Sequence, residues 1–147
     1  MAVLQIVYTS RLTILAAERR FELERISRQS KERNQAAGIT GSLLIANDEV
    51  VQLLEGAEKP LLDLFQKIRH DHRHTDVTRV YQNLAAKPCL SEWSMVVRDI
   101  STHTGSLLRF HALLDAYRRS FQFRLDDYLH IVHSHLQDVE MLGHSPA

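Results

Sequence analysis

Residues 41–54 read GSLLIANDEVVQLL, and this stretch decides how the rest of the chain is arranged. Two apolar runs, 41–46 and 50–54, are separated by Asn47-Asp48, a pair typical of a tight turn between antiparallel strands. The stretch therefore predicts a β-hairpin. The second run contains Gln52, an amide among aliphatic neighbours.

Strands and helices alternate on both sides of this hairpin. The order β-α-β-β-α-β-β predicts an α+β protein, a ferredoxin-like sandwich with two helices on one face of a five-stranded antiparallel sheet. We expect the first helix to stop at Gly38 and the second to begin near Pro60. The predicted elements are strands 3–9, 41–46, 50–54, 77–84 and 93–98 and helices 15–33 and 60–70.

The composition changes after residue 98. A polar linker, 101–106, is followed by two amphipathic segments, 107–121 and 123–142, which predict a pair of helices. Five strands with helices on one face leave the other face bare, and we expect this helical hairpin to cover it. We therefore divide the chain into a domain at 1–98 and a two-helix extension at 99–147.

Charge and composition exclude several classes of protein. Eighteen Lys and Arg balance eighteen Asp and Glu, which argues against electrostatic binding of nucleic acid or acidic lipid. A single cysteine, Cys89, excludes an internal disulfide framework. The sequence has neither an apolar run of about 20 residues nor the pattern of a signal peptide. We expect a cytoplasmic protein without a membrane partner.

Strand alternation brings three unusual side chains to one face of the sheet. Tyr8, Gln52 and Met95 each alternate in phase with apolar residues of their own strand, so all three point toward the two helices if the helices cover those faces. Asn34 ends the inward stripe of the first helix. A buried phenol and buried amides need hydrogen-bond partners, which could be each other or a bound polar ring. The pattern predicts a pocket between the helices and the sheet.

Five short motifs in register carry a resemblance to a known family. They are Val7-Tyr8-Thr9-Ser10, Asn34 with Gly38-Ile39-Thr40-Gly41, Gln52-Leu53-Leu54-Glu55-Gly56, Asp71-His72-Arg73-His74 and Trp93-Ser94-Met95. Together they resemble the BLUF family of blue-light sensors, which bind FAD, over about residues 2–98. The resemblance implies a flavin ring held between the two helices.

The resemblance also implies roles for individual residues. Tyr8 corresponds to the photoactive tyrosine, Gln52 to the switching glutamine, and Trp93 and Met95 to a pair that changes on the last strand. The residues implied to contact the cofactor, besides Gln52, are Asn34, Lys67, Asp71 and Arg73, with Ile26, Ser30 and Arg33 on the first helix. This chain departs from the family pattern at Val51, where an aromatic residue is common, and at Arg33, where His or Asn is frequent.

We therefore expect a stand-alone photoreceptor that is not an enzyme. Its signal would leave through protein contacts, to an unidentified downstream regulator or within a homo-oligomer, and not through nucleic acid. Two other functions stay open: a ferredoxin-like enzyme that binds a small molecule with Tyr8 and Gln52, or a degenerate family member that is an interaction module. The histidines at 70, 72, 74, 130, 133 and 135 could hold a metal, but solvated side chains are the favoured interpretation, and we expect no metal.

Overall fold

The computed structural model describes residues 2–90 and 95–141, with side-chain surroundings up to residue 134. The elements follow the predicted order, and a short 3₁₀ turn, Ala16–Glu18, precedes the first helix. The strands are β1 Val3–Leu12, β2 Thr40–Ala46, β3 Glu49–Gly56, β4 His74–Ala85 and β5 Val96–Asp99. The helices are α1 Arg19–Ala37, α2 Glu58–Arg69, α3 Thr104–Ser120 and α4 Leu125–Met141.

The predicted hairpin and helix stop are confirmed. β2 and β3 pair antiparallel around Asn47, which takes a positive φ of 58° in the turn. Gly38 ends α1 at φ 67°, and its N–H bonds to the carbonyl oxygens of Asn34 and Gln35. Glycine suits this left-handed position because it has no Cβ. α1 begins about four residues later than predicted, since the 3₁₀ turn occupies its expected start.

The sheet has the order β4-β1-β3-β2-β5 and is mixed, not wholly antiparallel. β4 takes the edge beside β1, so the chain crosses to the opposite edge, where β5 pairs parallel with β2. β5 starts at Val96, whereas the predicted strand began at Trp93, which lies outside the described residues. The α+β, ferredoxin-like arrangement is otherwise as predicted.

Apolar side chains fill a core on each face of the sheet. On one face, Leu4 and Ile6 of β1 pack with Leu61 and Phe65 of α2. On the other face, the alternate strand residues pack against α3 and α4, as expected for a helical pair that covers a bare sheet. The main members of this second core are Val7, Leu44, Val51, Leu53, Phe110, Leu114, Tyr128, Ile131 and Val132.

α3 begins inside the segment that was predicted to be a linker. The Nδ1 atom of His103 accepts the backbone N–H of Ser106 at 3.2 Å, which caps the helix and starts it at Thr104. A histidine cap was not anticipated, since Ser, Thr, Asp and Asn are the usual signals. Within the part of the chain that the structure describes, no helix has the length and apolar character needed to cross a membrane.

Candidate functional site

A cleft lies between α1 and the sheet and encloses about 540 Å³ of space unfilled by protein, part of it open to solvent. Its walls combine aliphatic and polar side chains in similar numbers, and apolar walls with polar groups among them are typical of a small-molecule site. The apolar lining consists of Leu12, Leu23, Ile26, Leu43, Val50 and Ile68, and the polar lining of Tyr8, Ser30, Arg33, Gln52, Asp71, Arg73 and His74.

α1 leaves this cleft open because it packs poorly onto the sheet. The helix is described over its whole length, and its only buried side chains are the polar Ser30 and Asn34. Leu23 and Ile26 face the cleft and stay half-buried. α2, in contrast, buries four large apolar residues against the same sheet face. Apolar surface is therefore available on α1 for a ligand that would lie between the helix and the sheet.

Tyr8 and Gln52 form the inner polar contact of the cleft. They lie opposite each other in the β1–β3 pairing, and the Tyr8 hydroxyl donates a hydrogen bond to Oε1 of Gln52. The phenol is 2% exposed and the amide 3% exposed. Burial raises the pKa of Tyr8 well above its usual value, so the phenol keeps its proton at every physiological pH. The ring of Phe65 packs against it at a centroid distance of 5.7 Å.

The other end of the Gln52 amide faces the last strand. Its Nε2 atom lies 3.8 Å from the sulfur of Met95, a buried residue directly before β5. A chain of contacts therefore links Tyr8 on β1, Gln52 on β3 and Met95 beside β5. Trp93, the other residue implicated on this strand, lies outside the described residues, so its role stays a prediction.

An ion pair lines another part of the cleft. Asp71 accepts hydrogen bonds from the Arg73 guanidinium at 2.5–3.1 Å and from the Arg73 backbone N–H at 2.9 Å. The guanidinium bonds are the main reason that the pKa of Asp71 lies below its usual value. Arg33 extends from α1 into the same lining, within 3.4 Å of Ser30 Oγ. These charges suit a ligand with polar groups at its rim.

His74 is the site residue that sequence reasoning missed. It was expected to be a solvated turn residue, but it lines the cleft and joins two elements. Its Nε2 donates to the carbonyl oxygen of Ile68 at 2.6 Å, so Nδ1 accepts the Ser10 hydroxyl at 3.0 Å. The ring also meets Tyr8 edge-on at 6.0 Å. The available signal was its position directly after Arg73, at the start of a strand paired with β1.

Two other residues implicated in cofactor binding lie outside the lining of the cleft. Asn34 is wholly buried on α1, next to the helix end. Lys67 is exposed on α2, whereas Asp71, four residues later, reaches the cleft. Contacts of Asn34 and Lys67 with a cofactor stay predictions.

The histidines do not form a metal site in the described part of the chain, which contains no group of three His, Cys, Asp or Glu side chains placed to hold an ion. His70 directly follows α2, His72 lies in the following turn and His74 begins β4. The three do not share one extended segment, which was the geometry that could have aligned them.

Known proteins resemble this chain in both sequence and structure. The family model described as BLUF, sensors of blue-light using FAD, matches residues 3–96. Photoactivated adenylate cyclase subunit beta of Euglena gracilis is 42% identical over 77 residues, which are 52% of this chain and 9% of that protein. The chain thus spans less than a tenth of that relative's length.

Two solved structures share the fold. The dark-state structure of BlrB, a BLUF protein, superposes with a TM-score of 0.65 at 28% identity, covering 80% of this chain and 82% of that one. The photo-activated state of BlsA superposes with a TM-score of 0.71, covering 91% and 94%, and at 22% identity it shows the fold alone. The family match covers the strands and helices that build the cleft, and the chain therefore belongs to the BLUF family, the sensors of blue light that use FAD.

Proposed function

We propose that this protein is a blue-light photoreceptor that binds FAD noncovalently in the cleft between α1 and the sheet. The observation that carries the proposal is the buried Tyr8–Gln52 hydrogen bond at the wall of the cleft. Residues 1–98 would form the flavin-binding unit, and residues 99–147 would relay its state. The unit itself would perform no enzymatic reaction.

The residues of the cleft fit a flavin. Leu23 and Ile26 of α1 and Leu43 of β2 offer apolar surface to the two faces of a flat ring, whose edges need hydrogen-bonding groups. Asp71 and Arg73 would hold the polar side arm, and Arg33, Ser30, Asn34 and Lys67 would contribute further polar contacts. The departure at Arg33 adds a positive charge to this lining. Bound flavin would supply absorption of blue light and, once excited, the capacity to accept an electron.

The photochemical role of the protein would rest on Tyr8 and Gln52. The Tyr8 phenol would give up an electron and then its proton, with Oε1 of Gln52 as the hydrogen-bond acceptor already in place. An amide has one accepting and one donating end, so rotation or tautomerisation of Gln52 would exchange the bonds it makes. Because Nε2 of Gln52 contacts Met95, the change in hydrogen bonding would reach the start of β5. Trp93 would change with Met95, as the resemblance implies.

The output would pass to another protein in the cytoplasm. The Euglena relative is named as a subunit of a photoactivated adenylate cyclase, and solved structures of Klebsiella pneumoniae BlrP1 contain cyclic diGMP. Both resemble this chain over part of their length only. We propose that α3 and α4 contact a regulator or a second copy of the chain, with no direct role for membrane or nucleic acid.

The proposal is tested by adding FAD to purified protein and recording its absorption before and after blue light. Tyr8→Phe should bind FAD and lose the light-induced red shift. Tyr81→Phe is the matched control, since Tyr81 is a half-buried tyrosine on the other face of the sheet, packed on Phe123. It should keep both properties. A normal red shift in Tyr8→Phe would refute the mechanism, and wild-type protein that takes up no FAD would favour the enzyme or interaction-module alternatives.

A further inference from the structure

Tyr128 of α4 makes a polar contact in the middle of the second core. Its side chain is 0% exposed, and its hydroxyl donates to the carbonyl oxygen of Ser42 at 3.0 Å. The carbonyl oxygen of Val51 lies 3.4 Å from the same hydroxyl, and the Ser42 hydroxyl oxygen lies 2.8 Å away, within hydrogen-bond distance. One phenol thus joins α4 to both β2 and β3.

This contact lies on the reverse side of the sheet from Gln52. Val51 and Leu53, whose backbones contact the phenol, are the two residues that flank Gln52. Ser42 directly precedes Leu43, which is the β2 partner of Gln52. Alternate residues of a strand point to opposite faces, so Gln52 projects into the cleft while the phenol meets the same stretch of backbone from behind.

The β2 backbone that bonds to Tyr128 also pairs with the last strand. Ser42 is the β2 partner of Val96, the first residue of β5, and Val96 follows Met95, whose sulfur contacts Gln52. A movement of the Gln52 amide that displaces either β3 or the start of β5 would therefore reach the backbone that bonds to Tyr128.

Packing alone does not require a phenol at this position. Phe110 and Phe123 fill the same core with aromatic rings that lack a hydroxyl, and the buried neighbours of Tyr128 on α4, Ile131 and Val132, are aliphatic. A buried hydroxyl adds the cost of removing it from water, which its hydrogen bonds offset only in the right position. The hydroxyl therefore specifies where α4 lies on the sheet, a function that burial of apolar surface cannot perform.

We propose that Tyr128 is a positioning residue that couples the state of Gln52 to helix α4. The inference rests on the proposed photoreceptor function and adds the contact through which the signal crosses the sheet. When Gln52 changes its hydrogen bonds, the backbone of β2 and β3 shifts against the Tyr128 hydroxyl, and the docking of α4 changes between dark and light. The coupling element is thus a hydrogen-bonded contact with two arrangements, which both the cleft and α4 can bias.

The test compares full-length wild type and Tyr128→Phe, each loaded with FAD. Amide hydrogen exchange over residues 125–134 is measured in darkness and under blue light, with the absorption shift recorded in the same samples. We expect wild type to change exchange on illumination by about fivefold or more, a typical size for coupling between two sites. Tyr128→Phe should keep the absorption shift and lose this light-dependent difference. A merely structural role would change exchange equally in both states.

Two further variants complete the design. Tyr117→Phe, on the neighbouring helix α3, should retain the light-dependent difference. Ser42→Ala removes one hydroxyl partner of Tyr128 with a small change in volume, and it should reduce the difference while the absorption shift is kept. If Tyr128→Phe fails to fold, Ser42→Ala becomes the deciding variant. A full wild-type light-dependent difference in Ser42→Ala would then overturn the inference.

The outcomes separate this inference from the proposed function. A wild-type chain that shows the red shift without any change at 125–134, or a Tyr128→Phe chain with the full wild-type change, would overturn the coupling and leave the photoreceptor proposal standing. A wild-type chain without a red shift would refute the photoreceptor proposal and the coupling with it.

Discussion

At the scale of residues, the centre of the site could be predicted because strand alternation is a strict rule. Tyr8 and Gln52 are far apart in the chain, yet each is in phase with its apolar neighbours, and the sheet pairs them directly. His74 could not be placed in the same way, because its role depends on a carbonyl at the end of α2 and a hydroxyl on β1. Tyr128 lies in the segment 123–142, which was predicted to be an amphipathic helix, but its hydrogen bonds depend on how α4 docks.

The two buried phenols predict a loss of stability in alkali. Burial raises the pKa of Tyr8 and of Tyr128 above the ordinary value of 10.0. Above about pH 10 the unfolded chain therefore releases two protons that the folded chain keeps. The free energy of unfolding should fall there with rising pH, by about 1.4 kcal/mol per pH unit for each tyrosine, and each contribution should be complete below that pH.

Denaturant unfolding of the flavin-free protein between pH 9 and 11.5 measures this effect. Tyr8→Phe and Tyr128→Phe should each reduce the alkaline slope by about 1.4 kcal/mol per pH unit. Equal slopes in wild type and both variants would show that neither phenol stays protonated in the folded state.

At the scale of elements, the order of strands and helices could be predicted from apolar periodicity, whereas the position of β5 could not. Nothing in a four-residue strand specifies which edge it joins. One contact of the segment that follows β4 involves Glu55 of β3, a carboxylate that is 1% exposed. It accepts the backbone N–H groups of Cys89 and Leu90 at 2.7 and 2.8 Å, and the Gln5 amide at 2.8 Å. These partners are distant from Glu55 in sequence, so no local sequence pattern predicts the contacts.

Glu55→Gln should destabilise the protein by about 2 kcal/mol, because charge-assisted hydrogen bonds are lost and the new NH₂ group faces backbone donors. Chemical denaturation measures the change. Glu49→Gln is the control on the same strand, since Glu49 pairs with the exposed Arg118 and should contribute less than about 1 kcal/mol. Equal losses in the two variants would contradict the anchoring role of Glu55.

Gly38→Ala should destabilise the chain by about 1 kcal/mol. The surroundings leave space for a Cβ, so the cost comes from the left-handed backbone that ends α1. Gly105→Ala is the matched control, because Gly105 also has space around it and lies in the helix α3 without a positive φ. A thermal unfolding midpoint that is unchanged in Gly38→Ala, or equally lowered in Gly105→Ala, would contradict this explanation.

At the scale of the whole molecule, one sheet separates two chemically different halves. The cleft with its polar lining lies on the α1–α2 face, and the apolar core under α3 and α4 lies on the other. The sequence predicted that α3 and α4 cover this second face, because α1 and α2 cover only one face of the sheet. The predicted division at residue 98 separates two parts of the chain that share one core, because the C-terminal helices complete the core of the sheet.

Removal of the C-terminal helices should therefore prevent independent folding of residues 1–98. Val7, Val51 and Leu53 would face water, and each exposed side chain of this size costs about 1.5–3 kcal/mol. We expect this fragment to self-associate or to lose its cooperative thermal transition, as measured by light scattering and circular dichroism. A fragment of residues 1–134 keeps the described core and should melt cooperatively. A monomeric 1–98 fragment with the melting temperature of the full chain would contradict this account.

The central claim, that the cleft makes this chain a sensor of blue light, is tested most directly by one absorption measurement. Purified full-length protein loaded with FAD is recorded in darkness, after blue light and after return to darkness. We predict a shift of the flavin band to longer wavelength that reverses in the dark. A bound flavin whose spectrum is the same in all three recordings would contradict the account.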